Sequence, residues 1–248
     1  MRKLKDNSAR PESLGSRARN EVKRAIMSGR FRPGETITIR ALAAALNISI
    51  TPARDALANL VAEGVLDVTD SGTISIPSLT KERVLELASL RECLEGLAAR
   101  EACKNLNEKD VDQLKRLHAE LVKAHSERDY VAVIRVNWEF HFALYGRAKM
   151  PLLLKMIEGC WLQAGSYLAI IYPAYGEISV GIRNHQAILD AAVRRKPGEL
   201  AAAVVRDIEL AAQSLLARLA DAPTHRFDGL NLRPDRPGGR ERAAPRNR

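Results

Sequence analysis

Arg91, Asn137, His141 and His185 carry groups that can hold a charge or a metal ion, and each falls on the apolar stripe of a predicted helix. Val84, Leu87, Arg91, Leu94 and Ala98 share one side of a helical wheel, so the Arg91 guanidinium points inward. Val133, Asn137, Phe140, His141 and Leu144 make a second stripe, with Asn137 and His141 one turn apart. Ile178, Ile182, His185, Leu189 and Ala192 make a third. Burying such groups without partners costs on the order of 1–3 kcal/mol each, so the pattern implies an interior polar cavity, and a cavity implies a ligand. A single inward histidine is more often a satisfied core or surface residue than a metal ligand, but two in register on separate helices shift that balance. Arg91 can pair with the carboxylate of an acidic small molecule, the alternative being an internal ion pair to Glu95 or another helix. Trp161, Tyr167 and Tyr172 either line the cavity or fill the core. Glu139 falls on another helix face, which leaves no strong acid/base constellation.

A second group of residues suits a polyanion. Ser49, Ile50, Thr51, Pro52 and Arg54 open a short helix, where the positive helix end, two small hydroxyls and an arginine fork fit phosphate and guanine contacts. Arg40, at the start of the preceding helix, can clamp the backbone.

The elements that position these residues are legible as local signals. Leu14, Ala18, Val22 and Ile26 recur every four residues along a first helix that stops at Ser28-Gly29. Pro33-Gly34 marks a turn and Thr36 to Thr38 a short strand. A second helix buries Leu42, Ala43 and Leu46. Asn47 tolerates the left-handed conformation that turns the chain, and Ile48 folds back as a cap. The third helix takes Ser49 or Thr51 as N-cap, holds Pro52 in its first turn, buries Ala53, Ala56, Leu57, Leu60 and Val61, and ends at Gly64. Val65 to Thr69 and Thr73 to Ile76, joined by Asp70-Ser71-Gly72, read as a hairpin wing. Two helices, a tight turn and a wing in this order form a winged helix-turn-helix, whose third helix can enter the major groove. Beyond Leu79 the periodicity is helical throughout, over about 80–104, 107–127, 129–147, 149–172, 176–195 and 198–219, which predicts an all-α antiparallel bundle.

The fold class is therefore mainly α in two modules: a flexible arm over 1–13, a winged helix-turn-helix over 14–77, an all-helical bundle over 78–220, and a disordered basic tail over 221–248. Charge follows this division. Residues 1–32 hold ten Lys or Arg against three acids and 221–248 hold seven against four, so the net charge of +9 is concentrated at the two ends. Cys93, Cys103 and Cys160 are odd in number and lack metal-knuckle spacing, which reads as buried thiols. No apolar run approaches the roughly 20 residues of a membrane span and the start lacks a signal-peptide core, so a cytoplasmic location is expected.

Three segments carry a family resemblance: Ala25 to Glu35, Arg40 to Ala43 and Ser49 to Leu57 closely resemble the GntR family of bacterial repressors. The remainder resembles the helical FCD-type effector domain of the FadR subfamily, and together the likeness spans 14–219. It implies a homodimer on a palindromic double-stranded DNA operator, controlled by a small organic-acid effector. It also implies that Arg40, Ser49, Thr51, Arg54 and the wing Gly72 contact DNA. Ile50 stands where many members carry a base-reading arginine, and the wing lacks a basic tip, so an operator sequence does not carry over. FCD domains typically bind a divalent metal through Asp-x-x-x-His on one helix and a histidine on each of two later helices. Here those positions match Asn137, His141, His185 and Ile208. An amide oxygen can coordinate and Ile cannot, so the expected cavity is an effector site in which zinc or nickel is held weakly or not at all. Arg91 matches an inward arginine common in the domain type. The expected function is a DNA-binding transcription regulator, a repressor and not an enzyme. The rival readings are a small helical metal-binding enzyme built on His141 and His185, and a non-specific nucleic-acid-binding adaptor, although neither an aromatic stacking surface nor a glycine-rich RNA motif is present.

Overall fold

The computed structural model describes residues 13–28, 30–31, 33–69, 71–78, 80–171 and 179–221, with side chains described except at 166–171, 179–180 and 220–221. Of the expected arm (1–13) and tail (221–248), Ser13 is instead the N-cap of the first helix and Asp221 the last residue of the last helix, while 1–12 and 222–248, with Tyr172, Ile178 and the Tyr167 side chain, lie outside the described residues.

The first module is built from α1 (Leu14–Met27), α2 (Ile39–Leu46), α3 (Ile50–Ala62), β1 (Asp67–Val68) and β2 (Ile74–Ser75). Hydroxyls set the first two helix starts: Ser13 Oγ accepts from Ser16 N–H, and Thr38 Oγ1 from Ala41 N–H. Asn47 ends α2 in the left-handed region, at φ 51°, as the sequence predicts. The turned chain is fixed by Ile48 N–H donating to the Ala43 carbonyl, with the Ile48 side chain against the core. Gly64, at φ +69°, closes α3, and Val65 and Leu66 N–H both donate back to the Leu60 carbonyl. Because those two residues cap the helix and bury their side chains, the wing strands are shorter than predicted and pair antiparallel as Asp67↔Ser75 and Val68↔Ile74. The strand expected over 36–38 is a single bridge from Thr36 to Ser75. One core joins these elements, centred on Val22, Ile26, Phe31, Leu42, Leu57 and Leu60. Leu14, predicted to point inward, is 52% exposed, because the first turn of α1 extends past that core.

The second module contains α4 (Lys81–Asn105), α5 (Glu108–Ser126), α6 (Tyr130–Tyr145), α7 (Pro151–Ile171), α8 (Ser179–Val193) and α9 (Pro197–Asp221). A capping box between Asn107 and Asp110 starts α5. α6 stops short of the predicted 147 in a 3₁₀ turn at Gly146–Ala148, after which Lys149 at φ 57° turns the chain. Pro151 then occupies the first helical position of α7, where its missing N–H costs nothing. α4 packs along α9 and α7, α5 pairs with α6 and α8, and α8 lies on α9. Phe140, Leu144, Ile157, Trp161, Ile188 and Val204 fill the shared core. Cys103 and Cys160 are buried as expected and burial pushes both thiols up, whereas Cys93 is exposed on the outer face of α4.

The modules touch through α7 and α6. Leu162 of α7 belongs to the core of the first module, and Trp138 of α6 packs against both cores. A methyl group built on Gly165 would lie 2.9 Å from the Ile26 carbonyl oxygen and 3.2 Å from Met27 Cα, so only glycine lets α1 and α7 come this close. Lys23 bridges from α1 to Glu63 at 2.8 Å and to Glu158 of α7 at 3.7 Å.

Candidate functional site

The start of α3 presents its polar groups outward because its apolar groups are consumed inward. Ala53, Ala56, Leu57 and Leu60 have no exposure, which leaves Ser49, Ile50, Thr51 and Arg54 exposed on the opposite side, with Pro52 half-buried between them. Ser49 is the N-cap by backbone geometry, yet its hydroxyl makes no capping hydrogen bond, and the first turn of α3 holds no acid. The helix end therefore shows its positive pole and unsatisfied N–H groups. Arg40 is exposed in the first turn of α2. Gly72 is exposed at the wing turn, where its N–H donates to the Thr69 carbonyl at 2.8 Å and Thr69, Ser71 and Thr73 form a hydroxyl chain. Ile50 is 43% exposed, a large apolar side chain presented where sequence-reading residues are expected.

The second module places Arg91, His141 and His185 in one polar centre. His141 Nε2 lies 3.1 Å from His185 Nε2 and 3.3 Å from Asp207 Oδ2, and His185 Nε2 lies 3.8 Å from the same oxygen. Asn184 donates to the other Asp207 oxygen at 3.2 Å. His141 Nδ1 meets the Tyr145 hydroxyl at 3.0 Å, and that hydroxyl donates to Glu95 Oε2 at 2.7 Å. Arg91 Nε donates to Glu95 Oε1 at 2.6 Å, and the guanidinium stacks on Trp161 at 4.7 Å from the ring centre. Of the two readings of Arg91, the structure thus displays the ion pair with Glu95. Trp161, at 2% exposure, packs on this centre, its ring 5.4 Å from that of His141. Asn137 is buried one turn before His141.

The charges follow from burial. His185 is pushed down to about 3 chiefly by desolvation, against the pull of Asp207, so its imidazole is neutral. Burial alone would raise the Asp207 carboxyl, but contact with His141, the nearby His185 and the bond from Asn184 bring it down to about 2, so it is ionised. Burial also keeps the Tyr145 phenol protonated, well above its ordinary value.

Ile208, the predicted fourth position, is packed in the core at 2% exposure and its neighbour Asp207 supplies the oxygen instead. To the expected set of Asn137, His141 and His185 the structure thus adds a carboxylate: His141, His185 and Asp207 bring three donor atoms within 4.8 Å of one another. No local signal in the sequence singles out this aspartate, because Arg206 and Glu209 flank it and make Asp207 one charged residue among several. Bonds of about 2.0–2.2 Å to a tetrahedral ion separate its ligands by roughly 3.3–3.6 Å, so the observed triangle has the size of one face of a coordination shell. Two imidazoles and one carboxylate suit a divalent transition metal and leave further positions open. The residues fit the group that the resemblance implies.

Comparison with known proteins accords with both modules. Residues 14–76 match the family model described as bacterial regulatory proteins, gntR family, and residues 86–222 match the FCD domain. The chain is 33% identical over 189 residues to the HTH-type transcriptional regulator McbR of Escherichia coli (strain K12), covering 75% of this chain and 85% of that one. It is 25% identical over 181 residues to a probable D-xylose utilization operon transcriptional repressor of Paenarthrobacter nicotinovorans, covering 72% and 78%. The solved structure of E. coli McbR/YncC superposes with a TM-score of 0.79 at 29% identity, over 84% of this chain and 99% of that one. A GntR regulator from Rhodococcus sp. RHA1 shares the fold at a TM-score of 0.63 and 18% identity, over 84% and 98%. These relatives and domains are regulators, not enzymes. Among the described residues no helix is long and apolar enough to cross a membrane.

Proposed function

Because the chain belongs to the GntR family and carries an FCD domain, it is a DNA-binding transcription regulator, and we propose that it represses its targets as a homodimer on a palindromic operator, released or tightened by a small organic acid. The observation that carries the DNA-binding half is the face made by Arg40, Ser49, Thr51 and Arg54 around the uncapped start of α3. There Arg54 reads a base edge, Ser49, Thr51, Pro52 and Arg40 hold phosphates, and Gly72 lets the wing backbone approach the duplex. Ile50 contributes an apolar contact, suited to a thymine methyl, in place of an arginine's hydrogen bonds. The repressor reading is supported by the relative named a repressor.

The polar centre of the second module is the effector site in this reading. His141, His185 and Asp207 would hold a divalent metal such as zinc or nickel, with Asn137 beside them, and the metal when bound supplies a Lewis-acid position for an acidic ligand's oxygen. Arg91, with guanidinium donors beyond those held by Glu95, pairs with the ligand's carboxylate. α7 passes the signal: Trp161 packs on the centre, while Leu162 and Gly165 dock on the first module, so a ligand that shifts Trp161 shifts the seat of α1. Fluorescence anisotropy with DNA from upstream of the gene, with organic acids added one class at a time, tests the reading. A rise in anisotropy specific to that DNA and altered by an acid is expected. Equal binding to any duplex, unaffected by every acid, would overturn it.

A further inference from the structure

Tyr145 has a single hydroxyl proton, and its geometry commits that proton to Glu95 Oε2 at 2.7 Å. At 3.0 Å from His141 Nδ1 the same oxygen can then only accept. His141 Nδ1 must then carry a proton to donate to it, and with a single proton on the ring this leaves the Nε2 lone pair facing His185 Nε2 and the Asp207 carboxylate. We propose that Tyr145 and Glu95 are positioning residues that fix His141 in the tautomer able to ligate a metal. This rests on the reading of His141, His185 and Asp207 as a metal-holding set.

The chain of bonds is buried from end to end. Glu95 has no exposure, Tyr145 and His141 have 1% each, and Arg91 holds the second Glu95 oxygen at 2.6 Å. Water does not compete for these groups, so donor and acceptor roles are set by the protein alone. In this tautomer the His141 Nε2 lone pair and Asp207 Oδ2, 3.3 Å apart, are two acceptors that a metal ion could share. A phenol between a carboxylate and a histidine thus does the work that a carboxylate or carbonyl usually does behind a metal-bound imidazole. His185 has no such support: its Nδ1 is buried without a hydrogen-bond partner and its ring is held by stacking on Phe140 at 4.7 Å.

Glu95→Gln tests the idea with almost no change of shape. The amide oxygen stays with Arg91 Nε, which needs an acceptor, and the amide NH₂ then replaces the oxygen at Tyr145. The phenol becomes acceptor there and donor to His141 Nδ1, so the imidazole proton moves to Nε2. The measurement is two-bond ¹⁵N–¹H correlation NMR of metal-free, [¹⁵N]histidine-labelled full-length protein at about pH 9, well above the roughly 6.5 of a free imidazole. The His141 signal is identified by its loss in His141→Gln. The Nδ1–H form is expected in the wild type and the Nε2–H form in Glu95→Gln. In parallel, zinc affinity measured against a chromophoric chelator should weaken about 10- to 100-fold in Glu95→Gln and in Tyr145→Phe. An Nε2–H tautomer in the wild type, or the same tautomer in both proteins, would overturn the relay. A wild type that takes up no zinc would overturn the metal reading instead, and the tautomer comparison would still decide the relay.

Discussion

Gly165→Ala and Gly159→Ala place the same methyl group on the same helix, one against α1 and one into open space. At Gly165 the new Cβ would sit 2.9 Å from the Ile26 carbonyl oxygen, 3.2 Å from Met27 Cα and 3.3 Å from the Ile26 carbonyl carbon. These are backbone atoms within α1, so the methyl is accommodated only if the helices move apart by several tenths of an ångström. At Gly159 nothing lies within 4 Å. Both substitutions gain the same helix propensity, about 1 kcal/mol, so their difference isolates the collision. Overpacking of this kind costs typically 1–3 kcal/mol. For a chain of this size that corresponds to Gly165→Ala melting about 2–12 °C below Gly159→Ala. Differential scanning fluorimetry reads the gap, and amide hydrogen exchange localises it: exchange should accelerate over residues 22–27 in Gly165→Ala. Equal melting temperatures, or acceleration confined to α7, would refute the view that α7 is the seat of the DNA-binding module.

The other predictions concern the two sites. Arg54→Ala should weaken operator binding by about 1–3 kcal/mol, or roughly 5- to 150-fold, while leaving binding to unrelated DNA almost unchanged in a competition gel shift. Asp207→Asn should lower zinc affinity at least tenfold by chelator competition, whereas Ile208→Val should leave it unaltered and cost only about 0.5–1.5 kcal/mol of stability in urea. Arg91→Ala should cost about 3–5 kcal/mol in the same urea titration, because it strands the fully buried Glu95 carboxylate without its cation.

The first module was legible because its signals are local. Asn47 in the left-handed region, Pro52 inside the first turn of α3 and Gly64 behind it each act within a few residues, and the structure places them as the pattern requires. The wing strands were overestimated because Val65 and Leu66 alternate like a strand but are claimed by the end of α3. The polar centre was legible only in part. Arg91, His141 and His185 betray themselves as polar residues on apolar stripes, a one-helix property. Asp207 does not, because its role depends on how α9 crosses α6 and α8; a helical phase of one residue separates it from Ile208, which the core takes. Glu95 was visible as a partner for Arg91, but its bond to Tyr145 joins residues fifty positions apart and no spacing rule reports it. Cys93 and Leu14 were misplaced for the converse reason, since an apolar residue on a helix is buried only where a neighbouring element arrives to cover it.

The most direct test of the central claim is footprinting of the full-length protein on DNA from upstream of its gene, beside Arg54→Ala. Protection of a two-fold symmetric site with half-sites about one helical turn apart, lost in the variant, is the predicted result. Uniform protection of any duplex that weakens with salt and ignores the substitution would contradict it.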